Sequence, residues 1–168
     1  MLALLPYDRA AAVRYAHIWA YGRNPRYYDY ESIGGDCTNF ASQCIYAGAG
    51  VMNYTPTFGW YYINANDKAP AWTGVEYLYN FLTRRTPSTG PFAGEVSPER
   101  IRPGDIVQLS FDGTGWQHSP VVVAADRPRS YADILVAAHS FNADDRPLST
   151  YEFVRARFLH IGGVYRQG

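Results

Sequence analysis

Cysteine is scarce in this 168-residue chain, with two thiols, at Cys37 and Cys44. Two cysteines exclude a disulfide scaffold. One helix over 37–48 would set them about 10 Å apart along its axis, beyond disulfide reach, so both are expected as free thiols. Charge of one sign is lacking as well: fifteen basic residues balance fifteen acidic ones. That removes the electrostatic footprint of a nucleic-acid binder. No apolar run reaches membrane-spanning length, and no internal repeat or low-complexity tract is present. The short CxxC and HxxxH ligand spacings are missing too, so a zinc centre would have to come from Cys37, His118 and His139 alone. The expectation is a protein with no metal, no cofactor, no nucleic-acid partner and no membrane span. The opening Met1-Leu2-Ala3-Leu4-Leu5-Pro6 is too short for a secretory apolar region and has no basic start. Three origins are compatible with it: a protein that stays inside the cell, one whose export signal has been removed, and a domain of a longer chain.

The length suits a single domain over residues 1–168. Asp8 can cap a first helix over about 9–21, with Ala12, Tyr15, Ala16 and Trp19 as its apolar stripe and Gly22 and Pro25 beyond its end. A tyrosine-rich loop (Tyr27, Tyr28, Tyr30) leads into the helix that starts at Cys37, which Gly48 can end. Thr73 and Glu76 have capping-box spacing and predict a third helix carrying Val75, Leu78, Tyr79 and Leu82. Residues 84–100 read as a long loop. Strands follow over 106–109, 118–125 and 134–139, with one or two more in 151–164. Helices first and antiparallel strands after make an α+β arrangement. The aromatic residues of 54–81, including Trp60, Tyr61, Tyr62 and Trp72, read as core packing or as a groove wall for peptide or sugar.

The most informative stretch is Gly34-Gly35-Asp36-Cys37-Thr38-Asn39-Phe40-Ala41-Ser42-Gln43-Cys44. Cys37, Phe40, Ala41, Cys44 and Ile45 recur at the spacing of one helical face. Cys44 fits the role of a small buried apolar residue. Cys37 sits where a glycine-rich loop becomes a helix. There the helix dipole and unpaired N–H groups favour thiolate, the nucleophilic form. Asp36 can cap this helix or contact a substrate.

Two of the four histidines stand out. If 118–125 and 134–139 form a hairpin centred between Pro128 and Arg129, opposed residue numbers sum to 257 and His118 faces His139. A one-residue slip would put the rings on opposite faces. In that register, His118 acts as base toward Cys37 and His139 orients it, with the two roles exchangeable. Asn142, followed by Asp144 and Asp145, is an alternative orienter, although the three together also read as an ordinary polar turn. His17 and His160 are expected to be structural. An oxyanion would be met by the Cys37 backbone N–H and, as a second donor, by a hydroxyl of Tyr28 or Tyr30.

The Gly-Gly-Asp-Cys-Thr-Asn-Phe-Ala-Ser-Gln run resembles the putative amidase domain family, within the papain-like group of CHAP and NlpC-type cell-wall hydrolases. The likeness extends to Tyr15-Ala16, Trp19 and Arg23-Asn24-Pro25 upstream. Downstream it takes in Arg102-Pro103-Gly104-Asp105, His118-Ser119 and Ala138-His139-Ser140, and so spans nearly the whole chain. The resemblance implies a papain-like α+β fold with N-terminal helices packed on a C-terminal antiparallel sheet. It implies Cys37 as nucleophile, His118 as base and His139 as the polar third residue, acting on peptide or bacterial peptidoglycan amides. The best-known papain-like enzymes place a glutamine shortly before the cysteine, and residues 30–36 hold none.

The leading expectation is therefore a cysteine amidase or peptidase working through a thioester. A transglutaminase-like or deamidating acyl transferase would use the same nucleophile. A module that binds peptide or glycan without turnover is the third reading.

Overall fold

The computed structural model describes residues 1–168 as an α+β protein. Strand β1 (Leu2–Leu5) precedes helices α1 (Arg9–Trp19) and α2 (Cys37–Ala49), then the small hairpin β2 (Tyr62–Asn64) and β3 (Asp67–Lys68). Helices α3 (Pro70–Thr73) and α4 (Val75–Leu82) follow. The strands β4 (Gly90–Val96), β5 (Ile106–Ser110), β6 (Val121–Ala124), β7 (Leu135–Ala138), β8 (Ala143–Pro147) and β9 (Arg155–Gln167) complete the chain. The main sheet is antiparallel throughout, ordered β1-β9-β5-β6-β7-β8, with β4 also on β9. No helix is long and apolar enough to cross a membrane.

Local chemistry explains the helices. Asp8 caps α1 by accepting the Ala11 N–H at 3.0 Å. Helix α2 runs past Gly48 and ends at Gly50, whose φ of 73° gives the left-handed cap. Gly48 has a packing role instead: a Cβ there would lie 2.5 Å from the Tyr7 ring. The predicted third helix is two. Thr73 closes α3, its hydroxyl accepting from Lys68 Nζ at 3.1 Å, and Gly74 opens α4. The supposed loop over 84–100 contains β4, which pairs with β9 from Gly90 to Val96. Two glycines and Pro91 mask it in the sequence, and an edge position lets the sheet tolerate them.

Packing divides by sheet face. One face carries Ile106, Val121, Val123, Ala137, Leu159 and Ile161 and meets α1, α2 and α4 through Ala12, Ala16, Phe40, Cys44, Ile45 and Leu78. The opposite face carries Val107, Leu109, Val122, Val136 and Phe158 under Ile134 and Leu148. Trp60 and Trp72 are fully buried with ring centroids 4.8 Å apart. Their indole N–H groups are satisfied by Ser42 Oγ and Asn39 Oδ1, each at 3.0 Å. These two rings are core, and they anchor α2 from behind.

The Pro-Gly-Asp turn has a structural task. Asp105 is fully buried and accepts from Arg9 Nη1 (2.8 Å), the Ile161 N–H (2.9 Å) and the Arg102 N–H (2.9 Å). It also meets His160 Nδ1 at 2.9 Å. One carboxylate thus ties α1, β5 and β9 together, which accounts for His160. His17 is accounted for by its ion pair with Asp144 at 2.8 Å.

Candidate active site

Helix α2 begins at Cys37 against the sheet end where β6 starts and β7 finishes. The thiol is nearly enclosed, at 9% exposure. Its Sγ lies 3.7 Å from the Gln117 carbonyl oxygen and 3.7 Å from Thr38 Oγ1. Thr38 Oγ1 in turn lies 3.2 Å from Ser119 Oγ. The loop before β6 therefore wraps the sulfur, and His118 stands between two residues of that wrapping. Both cysteines are free, and Cys44 is fully buried in the helix-side core.

The hairpin register differs from the expected one. Val121 pairs with Ala137 and Val122 with Val136, a sum of 258, and a bulge then brings Ala124 opposite Leu135. His118 pairs not with β7 but with Leu109, as an isolated bridge. The one-residue slip has the consequence that pleating demands. His139 falls on the helix side with Ala137, and His118 on the other side with Leu109 and Val122. His139 is therefore not hydrogen-bonded behind His118, as the sequence reading had it.

His139 braces two helices instead. It is 1% exposed and stacks on Phe40, with centroids 4.0 Å apart. Nε2 donates to the Trp19 carbonyl at the end of α1 (2.9 Å), and Nδ1 meets Asp36 Oδ2 at 2.5 Å. A carbonyl only accepts, so Nε2 carries a hydrogen, and Nδ1 faces the carboxylate. Both ring nitrogens are thus engaged with Asp36 and Trp19, away from the thiol. Asp36 does not cap α2 through its side chain. Its Oδ1 accepts from the Tyr30 N–H and from Asn39 Nδ2, both at 2.9 Å.

Other candidates are engaged elsewhere. The Tyr30 hydroxyl donates to the Ala65 carbonyl at 3.1 Å. Tyr28 packs edge-on against Tyr30. Asn142 accepts from Arg23 Nη2 at 3.3 Å, away from His118. Asp144 holds His17, and Asp145 is exposed. Sequence reasoning missed the partners of the thiol loop. Ser140 Oγ accepts the Asp36 N–H at 3.1 Å, and Ser140 and Phe141 both sit at positive φ (61° and 60°). Neither feature leaves a periodic signal.

His118, with 5% exposure, lines a 620 Å³ cavity with Phe111, Gln117, Ser140, Phe141 and Tyr151. Burial, reinforced by the positive charge of Arg146, lowers its pKa from 6.5 to about 4. Burial likewise raises the Cys37 thiol above its ordinary value, with Thr38 and backbone hydrogen bonds opposing only in part. Desolvation thus outweighs the helix-start effect, and the resting pair is neutral thiol and neutral imidazole.

The shift has a stability consequence with a definite sign. The unfolded chain takes up a proton at this residue near pH 6.5, whereas the folded one waits until about pH 4. Stability from this site is thus complete above pH 6.5 and falls as pH drops toward 4, by roughly 3 kcal/mol. Urea unfolding of the wild type and of His118→Gln should diverge across that window, the variant losing less on acidification. Parallel pH profiles would contradict the buried neutral ring.

Residues 6–161 match the model of a family described as "Putative amidase domain". The uncharacterized protein YhbB of Bacillus subtilis (strain 168) is 34% identical over 166 residues, which cover 92% of this chain and 50% of that protein. The chain thus spans about half the length of the curated relative it matches. No solved structure matches. A match over nearly all the residues that build the helices, the sheet and the Cys37 corner places this chain in the putative amidase domain family.

Proposed function

We propose that the protein is a cysteine-nucleophile hydrolase of amide bonds, of papain-like type and related to the CHAP and NlpC-type enzymes. The observation that carries the reading is the placement of Cys37 at the first position of α2, wrapped by the loop that delivers His118 to an open cavity. Membership of an amidase family supports the reaction class.

Cys37 is the nucleophile and His118 the base. Because the resting groups are neutral, proton transfer accompanies attack and does not precede it. His118 rests beside Phe111 and Tyr151, on the sheet face away from α2 and without a hydrogen bond to Cys37, so the loop over 117–119 has to shift for the ring to take the thiol proton as sulfur adds to the carbonyl carbon. The Cys37 N–H, which has no intrahelical acceptor at a helix start, meets the developing oxyanion. His118 then gives its proton to the departing amine, leaving a thioester. Water, deprotonated by the same ring, releases the acid. Asp36 and His139 are positioning residues that fix the start of α2. The substrate is a peptide, with bacterial peptidoglycan stems a candidate source.

The test is an electrophilic peptide probe followed by mass mapping. The expected result is one adduct, on Cys37, lost in His118→Ala. Labelling of Cys44 alone, or none, overturns the reading. Incubation with labelled amines separates a transferase, which would form conjugates, from the hydrolase proposed here.

A further inference from the structure

The cavity beside His118 contains a cation that nothing in the chain neutralises. Arg146 comes from β8, where its backbone pairs with Val136. Its guanidinium is held in place: Nε donates to Thr150 Oγ1 at 2.7 Å, Nη2 donates to the Thr150 carbonyl at 3.1 Å, and the central carbon lies 3.6 Å from the Tyr151 ring centroid. Both hydrogens of Nη1 and one of Nη2 remain uncommitted. No carboxylate forms an ion pair with Arg146; Glu152 shares the cavity wall and is exposed, yet lies outside pairing distance. The buried Tyr151 hydroxyl has Arg146 as its polar neighbour and makes no well-aligned hydrogen bond. Thr150, Tyr151 and Arg146 all line the 620 Å³ cavity, with Phe111 and Phe141 as its apolar part.

A fixed, planar, unpaired guanidinium in the wall of a cavity that also holds aromatic side chains suits a carboxylate, which it binds through two parallel N–H···O bonds. We infer that Arg146 and Tyr151 form a subsite for a carboxylate carried by the substrate close to the scissile amide, so that the preferred substrates are acidic peptides. This rests on the cavity being the substrate site of the hydrolase proposed above. The aromatic rim takes the neighbouring apolar part of the ligand, and the Tyr151 hydroxyl supplies a further donor. Occupancy also bears on the base: the Arg146 charge disfavours protonation of His118, and a bound carboxylate would offset that charge as the ring takes its proton.

The test separates binding from turnover. Cys37→Ala protein is titrated calorimetrically with acetyl-Ala-Glu, which carries two carboxylates, and with its diamide, acetyl-Ala-Gln-amide. The expected result is at least tenfold tighter binding of the acid. Adding Arg146→Gln should remove that preference while leaving diamide affinity within twofold. Arg146→Lys, which keeps the charge but loses the fork, should retain part of the preference and serves as the second variant if the glutamine protein does not fold. Equal affinity for acid and diamide, a preference that survives Arg146→Gln, or no binding of either at millimolar concentration overturns the subsite. Tight acid binding by a wild-type protein that cleaves nothing would leave the subsite standing and remove the hydrolase.

Discussion

Cys37→Ala is expected to lower amide hydrolysis by more than about a thousandfold, the scale on which removal of a covalent nucleophile acts. The fold should survive. The sulfur makes two weak contacts at 3.7 Å and sits at the rim of the core, so its loss leaves little unsatisfied. Cys44→Ala is the control. That thiol is fully buried, two helical turns along, and its removal opens a small gap in the helix-side core. It should cost about 1 kcal/mol of stability and leave turnover intact. Assaying both variants on a panel of acetylated peptide amides, with urea unfolding alongside, gives two opposite signatures. Undiminished turnover in Cys37→Ala would remove the thioester route altogether.

The second large effect concerns Asp36. Truncation to alanine strands three donors in a dry site: the Tyr30 N–H, Asn39 Nδ2 and the His139 ring. Each buried donor left without a partner typically costs about 1–3 kcal/mol. Asp36→Asn keeps an acceptor and should cost less. A double-mutant cycle with His139→Ala should show strong coupling, because the two side chains meet directly in a dry site. Additive losses would mean that the brace between α1 and α2 is not the unit described above. Turnover should fall in the Asp36 variants even where they fold, since the residue adjoins Cys37 and sets where α2 begins.

What the sequence revealed, and what it concealed, follows from the reach of each signal. Asp8 capping α1 and the apolar stripe of α2 are local patterns, and both are legible as periodicity and caps. Free thiols follow from helix geometry alone. The strand at β4 was hidden because its glycines and proline look like loop chemistry, and only its partner β9 makes it a strand. The site suffered most from one number. A hairpin sum of 258 in place of 257 sends His139 to the helix side and His118 to the other. Nothing local to Pro128 and Arg129 distinguishes these registers. The identity of Asp36 as the partner of His139 joins residues 103 positions apart, which a single sequence cannot display. Thiol ionisation also ran against the local expectation, because the loop over 117–119 buries the sulfur and burial dominates the helix-end field.

Strand β9 carries a consequence for folding. It is edged by β5 and then β1 along one side and by β4 along the other, and Leu2 pairs with Gln167. Three strands, β1, β4 and β5, therefore depend for pairing on one segment far from β1 and β4 in the sequence. Closing so large a loop is an entropic burden that local contacts cannot prepay. Without β9, the helix-side core lacks Leu159, Ile161 and Val164, and only the residues from β5, β6 and β7 cover the helix stripes.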